Sequence, residues 1–300
     1  MSSATSGPSR RMLRFDSPAL RDLEWPCLEV TGAHDGPTLC ILGGIHGCEY
    51  SSIAAVVRVV RGLDPARLSG SVVAVPIVNL PAFRTRTPFI SPPDGKNLNR
   101  CFPGDPDGTF SDQLAHHVFT ELIAPAGALI DMHGGDLVEA LEPFTVYDSS
   151  PVDATTRAMA IAYGLPYVVC TEREGAAIGG TTCGAAADAG VPGITPEVGG
   201  CGLLEEDAIA AHVQGTQNVM RSLGMLEGEV KPASVPQRSV DRFVWLRCRE
   251  AGWWQPSVRV GDELEVITAP EAGVPLFITS SPAVADDGLL LGLGAGIRPL

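Results

Sequence analysis

Two short apolar runs, each ending in histidine and glycine, constrain the fold of this chain most strongly. The first is Thr38-Leu39-Cys40-Ile41-Leu42, followed by Gly43-Gly44-Ile45-His46-Gly47-Cys48-Glu49. The second is Ala128-Leu129-Ile130-Asp131-Met132, followed by His133-Gly134-Gly135. Short apolar runs bounded by glycine read as buried strands. In parallel sheets, ligands gather beyond the carboxyl ends of the strands, so two such strands can bring both imidazoles to one rim. His46 and Glu49 are three residues apart, one helical turn, and can converge on a single ion. A catalytic zinc ordinarily takes three protein ligands and keeps a fourth position for water, and His133 is the natural third donor. Asp131 lies two residues before His133, on the same face of a strand, where it can orient the imidazole. The other histidines read as bystanders: His34 in a loop, and His116, His117 and His212 on helix surfaces or in helix packing. Adjacent helical positions diverge by about 100°, so His116 and His117 cannot share a face.

Between residues 26 and 226, β-branched runs alternate with helix-like stretches. Strands are expected near 38–43, 72–78, 127–132, 166–170 and 192–196, and helices over 49–61, 111–123, 153–163 and 204–223. This alternation predicts an α/β catalytic domain, a mixed twisted sheet with helices on both faces. Residues 1–25 read as an N-terminal lead-in, loose over the first twelve. A polar linker leads into a small all-β domain over 237–300. There, strand-like pieces at Phe243-Val-Trp-Leu, Glu263-Leu-Glu-Val-Ile, Val274-Pro-Leu-Phe-Ile and Leu289-Leu-Leu are divided by Gly-Asp and Asp-Gly turns. That tail has the look of a lipoyl or biotinyl carrier, but no lysine follows Lys231 to be modified, which excludes the role.

The net charge of −14 argues against nucleic acid or an anionic membrane as a partner, since both require a basic face. No run approaches 18 apolar residues, so no transmembrane helix is expected. Arg10-Arg11 is followed by no apolar stretch that would make a secretion signal. Eight cysteines are scattered singly without a CxxC pair, as in a reducing compartment, and a cytoplasmic location is expected.

A metal-activated water needs a base, and Ile194-Thr195-Pro196-Glu197-Val198-Gly199-Gly200 offers Glu197 at a strand end. A glutamate in a surface turn is the plainer alternative. The long segment from Asn79 to Phe110, rich in Pro, Gly, Arg and Asn, is of the length and composition that carries function. Within it, Asp94-Gly95-Lys96-Asn97-Leu98-Asn99-Arg100 places a guanidinium beside amides, and Arg100 with Asn99 can clamp a carboxylate. A structural ion pair is the competing reading.

In their order, GGIHGCE, DGKNLNRCFPG, LIDMHGG and TPEVGG resemble the succinylglutamate desuccinylase and aspartoacylase family, relatives of zinc carboxypeptidases. The resemblance spans residues 38–200, and the tail is similar to that family's β-rich C-terminal domain. The FRTRTPF…PPDGKNLNR stretch looks closer to the branch that includes N-acetyl-diaminobutyrate deacetylase. The resemblance implies a zinc-dependent amidohydrolase that removes an acyl group from an amino acid with a free carboxylate. It places His46, Glu49 and His133 on the ligands of one zinc per subunit, Glu197 on the catalytic glutamate, and Asn99 and Arg100 on the substrate anion. Either Arg84 or Arg86 matches the arginine that polarises the scissile carbonyl, and Arg86 is preferred. The family's late tyrosine has no counterpart, as all four tyrosines precede the tail, so Trp253 or Trp254 is the substitute to look for. A zinc carboxypeptidase acting on peptides and a non-catalytic carboxylate-binding protein are the alternatives. Oligomeric state stays open, with the β-rich tail available for subunit contacts.

Overall fold

A computed structural model describes residues 7–149, 152–171, 179–264, 272–281 and 283–300. The chain begins with β1 (Ser9–Leu13), β2 (Trp25–Thr31), β3 (His34–Gly43), α1 (Tyr50–Arg61), β4 (Ser69–Val75), α2 (Leu80–Thr85), α3 (Phe110–Val118) and β5 (Ala128–Met132). Next come β6 (Glu139–Leu141), β7 (Phe144–Asp148), α4 (Asp153–Tyr163), β8 (Tyr167–Thr171), α5 (Thr182–Asp188), β9 (Gly193–Glu197) and α6 (Glu206–Ser222). The tail adds β10 (Arg238–Val240), β11 (Arg242–Arg247), β12 (Gly252–Trp253), β13 (Gly273–Thr279), β14 (Ala283–Val284), β15 (Leu289–Ala295) and β16 (Arg298–Pro299).

The main sheet has the order β1-β2-β4-β3-β5-β9-β7-β8-β10-β16. It is mixed. Strand β3 runs parallel to both β4 and β5, and β5 parallel to β9, whereas β7 is antiparallel to β9. Alternation along β3 explains the layers on its two sides. Leu39 and Ile41 face one core with Val56 and Val60 of α1 and Ile209 and Val219 of α6; Cys40 and Leu42 face the other with Leu114 of α3 and Ala186 of α5. The two apolar runs are therefore neighbouring central strands whose carboxyl ends meet at one edge.

Residues 9–13, expected in a loose lead-in, pair antiparallel with β2 as the edge strand. His34 opens β3 instead of lying in a loop, and the helix expected over 111–123 ends at Val118 and continues as a wider π turn over Phe119–Ile123. The tail forms a second sheet of order β11-β15-β13-β6, to which β6 comes from the loop after His133. In exchange, β10 and β16 extend the main sheet beyond β8. The strand expected at 263–267 shows a single bridge, Leu264 to Gly273; Glu263 belongs to no strand, and 265–267 fall outside the described residues.

Candidate metal centre and active site

His46 and Glu49 stand in the tight turn that carries the chain from β3 into α1. Gly44 adopts a left-handed φ of +62° there. Gly47 packs so closely on α2 that a Cβ would lie 2.2 Å from the Phe83 nitrogen. Glu49 is the residue that caps α1. His133 follows β5 directly and is bridged to Glu197 on the adjacent strand, its N–H donating to the Pro196 carbonyl at 2.9 Å. Parallel pairing of β5 with β9 thus puts a proposed ligand beside the proposed base.

Glu49 lies between the two imidazoles. Its Oε1 is 2.7 Å from Nδ1 of His46, and its Oε2 is 3.1 Å from Nδ1 of His133. The opposite ring nitrogens are held by other acceptors. Nε2 of His133 donates to Asp131 Oδ2 at 3.0 Å, and Nε2 of His46 donates to Asn97 Oδ1 at 3.1 Å. Both rings are thereby turned so that Nδ1 faces a common point, the arrangement that an outer carboxylate or amide gives a metal-ligating histidine. One donor atom from each of His46, Glu49 and His133 lies within 4.8 Å of the others.

The charges fit a dication. Burial opposes protonation of His133, yet the Asp131 and Glu49 carboxylates raise its pKa well above the imidazole range. The two rings in turn hold the Glu49 carboxyl low against its own burial. Protons on these rings occupy a place that a cation could take, and two imidazoles with one carboxylate are a known zinc donor set. Glu197 has no side-chain hydrogen bond among the described residues. Burial raises its pKa well above the carboxylate range, helped by Glu49, Glu139 and Asp131 and opposed by His133. Asp131 Oδ1 is buried without a hydrogen-bond partner among the described residues.

His46, Glu49, His133 and Glu197 open into one cavity of about 520 Å³ that also holds Asn99, Arg100, Phe89 and Glu139. Arg100 is exposed to it, spends one N–H on the Asn99 carbonyl at 2.6 Å, and forms no ion pair among the described residues. Asn99 is fixed by its Oδ1, which accepts from the Thr182 N–H at 3.0 Å. The loop carrying both is tied down by Asp94, whose carboxylate accepts from the hydroxyls of Thr109 and Ser111 and the backbone of Ser111 at the start of α3.

The structure does not bring Arg86 to the site. It ends α2 in a left-handed conformation, exposed like Arg84, and neither lines the cavity. Trp253 is 78% exposed, and neither it nor Trp254 lines the cavity; Phe243, Trp245 and Phe277 do. His212 is a packing residue as read, fully buried with Nε2 donating to the His133 carbonyl at 3.0 Å. Two residues escaped the sequence reading. Asn97 sits inside the DGKNLNR segment, and its signal was the turn it makes by accepting from the Asn99 N–H. Glu139 carried no signal; burial and the Glu49 carboxylate push its pKa up to about 7.

Residues 35–223 match the model of the succinylglutamate desuccinylase/aspartoacylase catalytic domain. The chain belongs to this family. It is 31% identical over 235 residues to the N-alpha-acetyl-L-2,4-diaminobutyric acid deacetylase of Halomonas elongata, covering 76% of this chain and 68% of that relative. The structure of a succinylglutamate desuccinylase/aspartoacylase from Rhodobacter sphaeroides superimposes with a TM-score of 0.83 at 25% identity, over 99% of this chain and 97% of that one. A product-bound ectoine utilization protein from Ruegeria pomeroyi shares the fold at a TM-score of 0.80 and 23% identity, over 96% and 95% of the two chains. The mixed sheet expected from the sequence is the fold of this family. Among the described residues no helix is long and apolar enough to cross a membrane.

Proposed function

We propose that this family member is a zinc-dependent deacylase that hydrolyses the amide bond of an N-acyl amino acid with a free carboxylate, using one zinc per subunit. The observation that carries the reading is the convergence of two imidazole Nδ1 atoms on the two oxygens of Glu49, beside a Glu197 carboxylate with no hydrogen-bond partner among the described residues. Deacetylation by the Halomonas elongata relative supports it. Zinc held by His46, Glu49 and His133 would polarise the amide carbonyl and acidify a water.

Glu197 takes the proton from the attacking water and delivers it to the leaving amine. Its raised pKa suits a group that must keep a proton between the two steps. Arg100 receives the substrate carboxylate in a two-bond fork, and the free amide N–H group of Asn99 adds a third contact, which fixes the scissile bond relative to Glu197. Arg86 has no part in this scheme because its side chain lies outside the cavity wall. The test is metal analysis of the purified protein followed by a panel of N-acyl amino acids and a dipeptide, with and without chelator. Chelator-sensitive amine release from the N-acyl amino acids is expected. Stoichiometric zinc with turnover of the dipeptide alone would replace the reading by a peptidase, and zinc without turnover of anything would replace it by a binding protein.

A further inference from the structure

One wall of the cavity is built by residues outside the 35–223 segment that matches the family's catalytic domain. Phe243 and Trp245 of β11 and Phe277 of β13 line it beside Phe144 of β7. The rings are continuous. Phe243 and Trp245 stack with centroids 5.0 Å apart, Trp245 and Phe277 are 5.5 Å apart, and Phe277 meets Phe144 edge-on at 5.2 Å. Strands β11 and β13 are not neighbours, because β15 runs between them and sets Gly292 opposite both Trp245 and Phe277. A Cβ at Gly292 would lie 2.7 Å from Trp245 Cζ3 and 2.9 Å from Phe277 Cδ2, so glycine is what lets the two rings close over the middle strand.

Part of this wall serves packing, since Phe243 and Phe277 rest on the buried cluster around Phe144, whereas Trp245 joins no buried cluster among the described residues. Ile278, Leu291 and Leu293 form a separate buried cluster in the small sheet, while Trp245 keeps 38% of its surface exposed. The proposed chemistry also makes no use of the wall. A cavity of about 520 Å³ falls in the range of roughly 300–1,000 Å³ that encloses drug-sized ligands, more room than an acetyl group on a small amino acid requires.

Resting on the deacylase reading, we propose that the C-terminal sheet supplies an aromatic subsite, and that the substrate carries a bulky apolar group, aromatic by preference, against Trp245 and Phe277. Ring faces and edges reward an aromatic partner beyond the area it buries. The group is either the acyl moiety or the amino-acid side chain, since both offer the wall the same chemistry. Contacts to a group that does not itself react hold ground state and transition state alike, so they act mainly through KM.

The zinc-loaded full-length protein is assayed with N-acetylalanine, N-acetylphenylalanine and N-benzoylalanine. At least one aromatic substrate is expected to exceed N-acetylalanine in kcat/KM by about tenfold or more, expressed in KM. Whichever aromatic substrate gains identifies the acyl or the side-chain source. Trp245→Ala should lower the aromatic-to-small ratio at least about fivefold, and Gly292→Val should do the same by wedging the rings apart without removing either. An unchanged ratio in both variants, or no aromatic preference in the wild type, overturns the subsite while leaving the deacylase reading in place. If none of the three is hydrolysed, the deacylase reading is decided by the wider N-acyl panel, and calorimetric binding decides the subsite. N-benzoylalanine or N-acetylphenylalanine binding about tenfold tighter than N-acetylalanine, with the difference lost in Trp245→Ala, sustains it; equal binding overturns it.

Discussion

Asp131→Asn is the substitution that best separates the metal centre from its support. Asp131 is fully buried, does not line the cavity, and is bonded directly to His133. Its Oδ2 accepts from His133 Nε2 at 3.0 Å and from the Thr182 hydroxyl at 2.5 Å. Asparagine can keep both bonds through its carbonyl oxygen but makes them neutral. A hydrogen bond to a charged group contributes about 1.5–3 kcal/mol and a neutral one about 0.5–1.5 kcal/mol. Each bond therefore weakens by roughly 1–1.5 kcal/mol. The Thr182 bond is present with and without metal, so it cancels; the His133 bond strengthens when the ring becomes a ligand and does not. One such loss corresponds to about a tenfold weaker metal affinity, at the lower end of the 10- to 100-fold that outer-sphere partners usually contribute. Zinc affinity should be measured by competition with a chromophoric chelator, with circular dichroism confirming that the variant is folded. A folded variant that binds zinc within twofold of wild type would refute the claim that Asp131 sets the ring for coordination.

Glu197→Gln should retain zinc and lose about 10²- to 10⁴-fold in turnover, and near-normal hydrolysis in a metal-loaded variant would remove Glu197 as the base. Arg100→Lys replaces a planar fork by a point charge, so KM should rise about tenfold or more; an unchanged KM would place the carboxylate elsewhere. Buried His212, bonded to the Tyr163 hydroxyl and the His133 carbonyl, has its pKa pushed down to about 4 by burial. Between that value and the ordinary imidazole range the unfolded chain binds the extra proton, so stability should fall on acidification by about 1.4 kcal/mol per pH unit. Denaturation midpoints at pH 7.5 and 5 should show this term in wild type and lose it in His212→Asn; equal pH dependence would contradict it.

The two histidines proposed as ligands were legible because each lies within three residues of the end of its own strand, so local pattern alone put both imidazoles at a sheet edge. Glu197 was legible for the same reason, as the end of β9. What pattern did not reveal was pairing. Strand β1, Ser-Arg-Arg-Met-Leu, carries an edge strand's polar surface and reads as a tail until β2 is found beside it. Strand β7 is five residues long after a proline and gave no separate signal. Arg86 was proposed as the carbonyl-polarising group from the family resemblance, and the order of residues does not show that it stays exposed and away from the cavity. Trp253 and Trp254 were the wrong tryptophans for the cavity, since Trp245 reaches it only through the register of β11 with β15.

That register also bears on how the two sheets hold one site. Strand β6 leaves the loop that follows His133 and pairs with β13, setting Glu139 opposite Thr279 and Leu141 opposite Phe277. The path from His133 to the aromatic wall is thus a few residues of chain and one strand pairing. A β-rich tail joined only through the linker near residues 227–237 could shift against the metal centre by several ångströms without breaking a hydrogen bond. Here such a shift would have to break the β6–β13 ladder at one end and the β8–β10–β16 ladder at the other. Two separate anchors resist rotation as well as translation, which a single anchor cannot. The wall can therefore discriminate between substrates by shape, because its distance from the bond to be cleaved is set by backbone pairing and not by the flexibility of a tether.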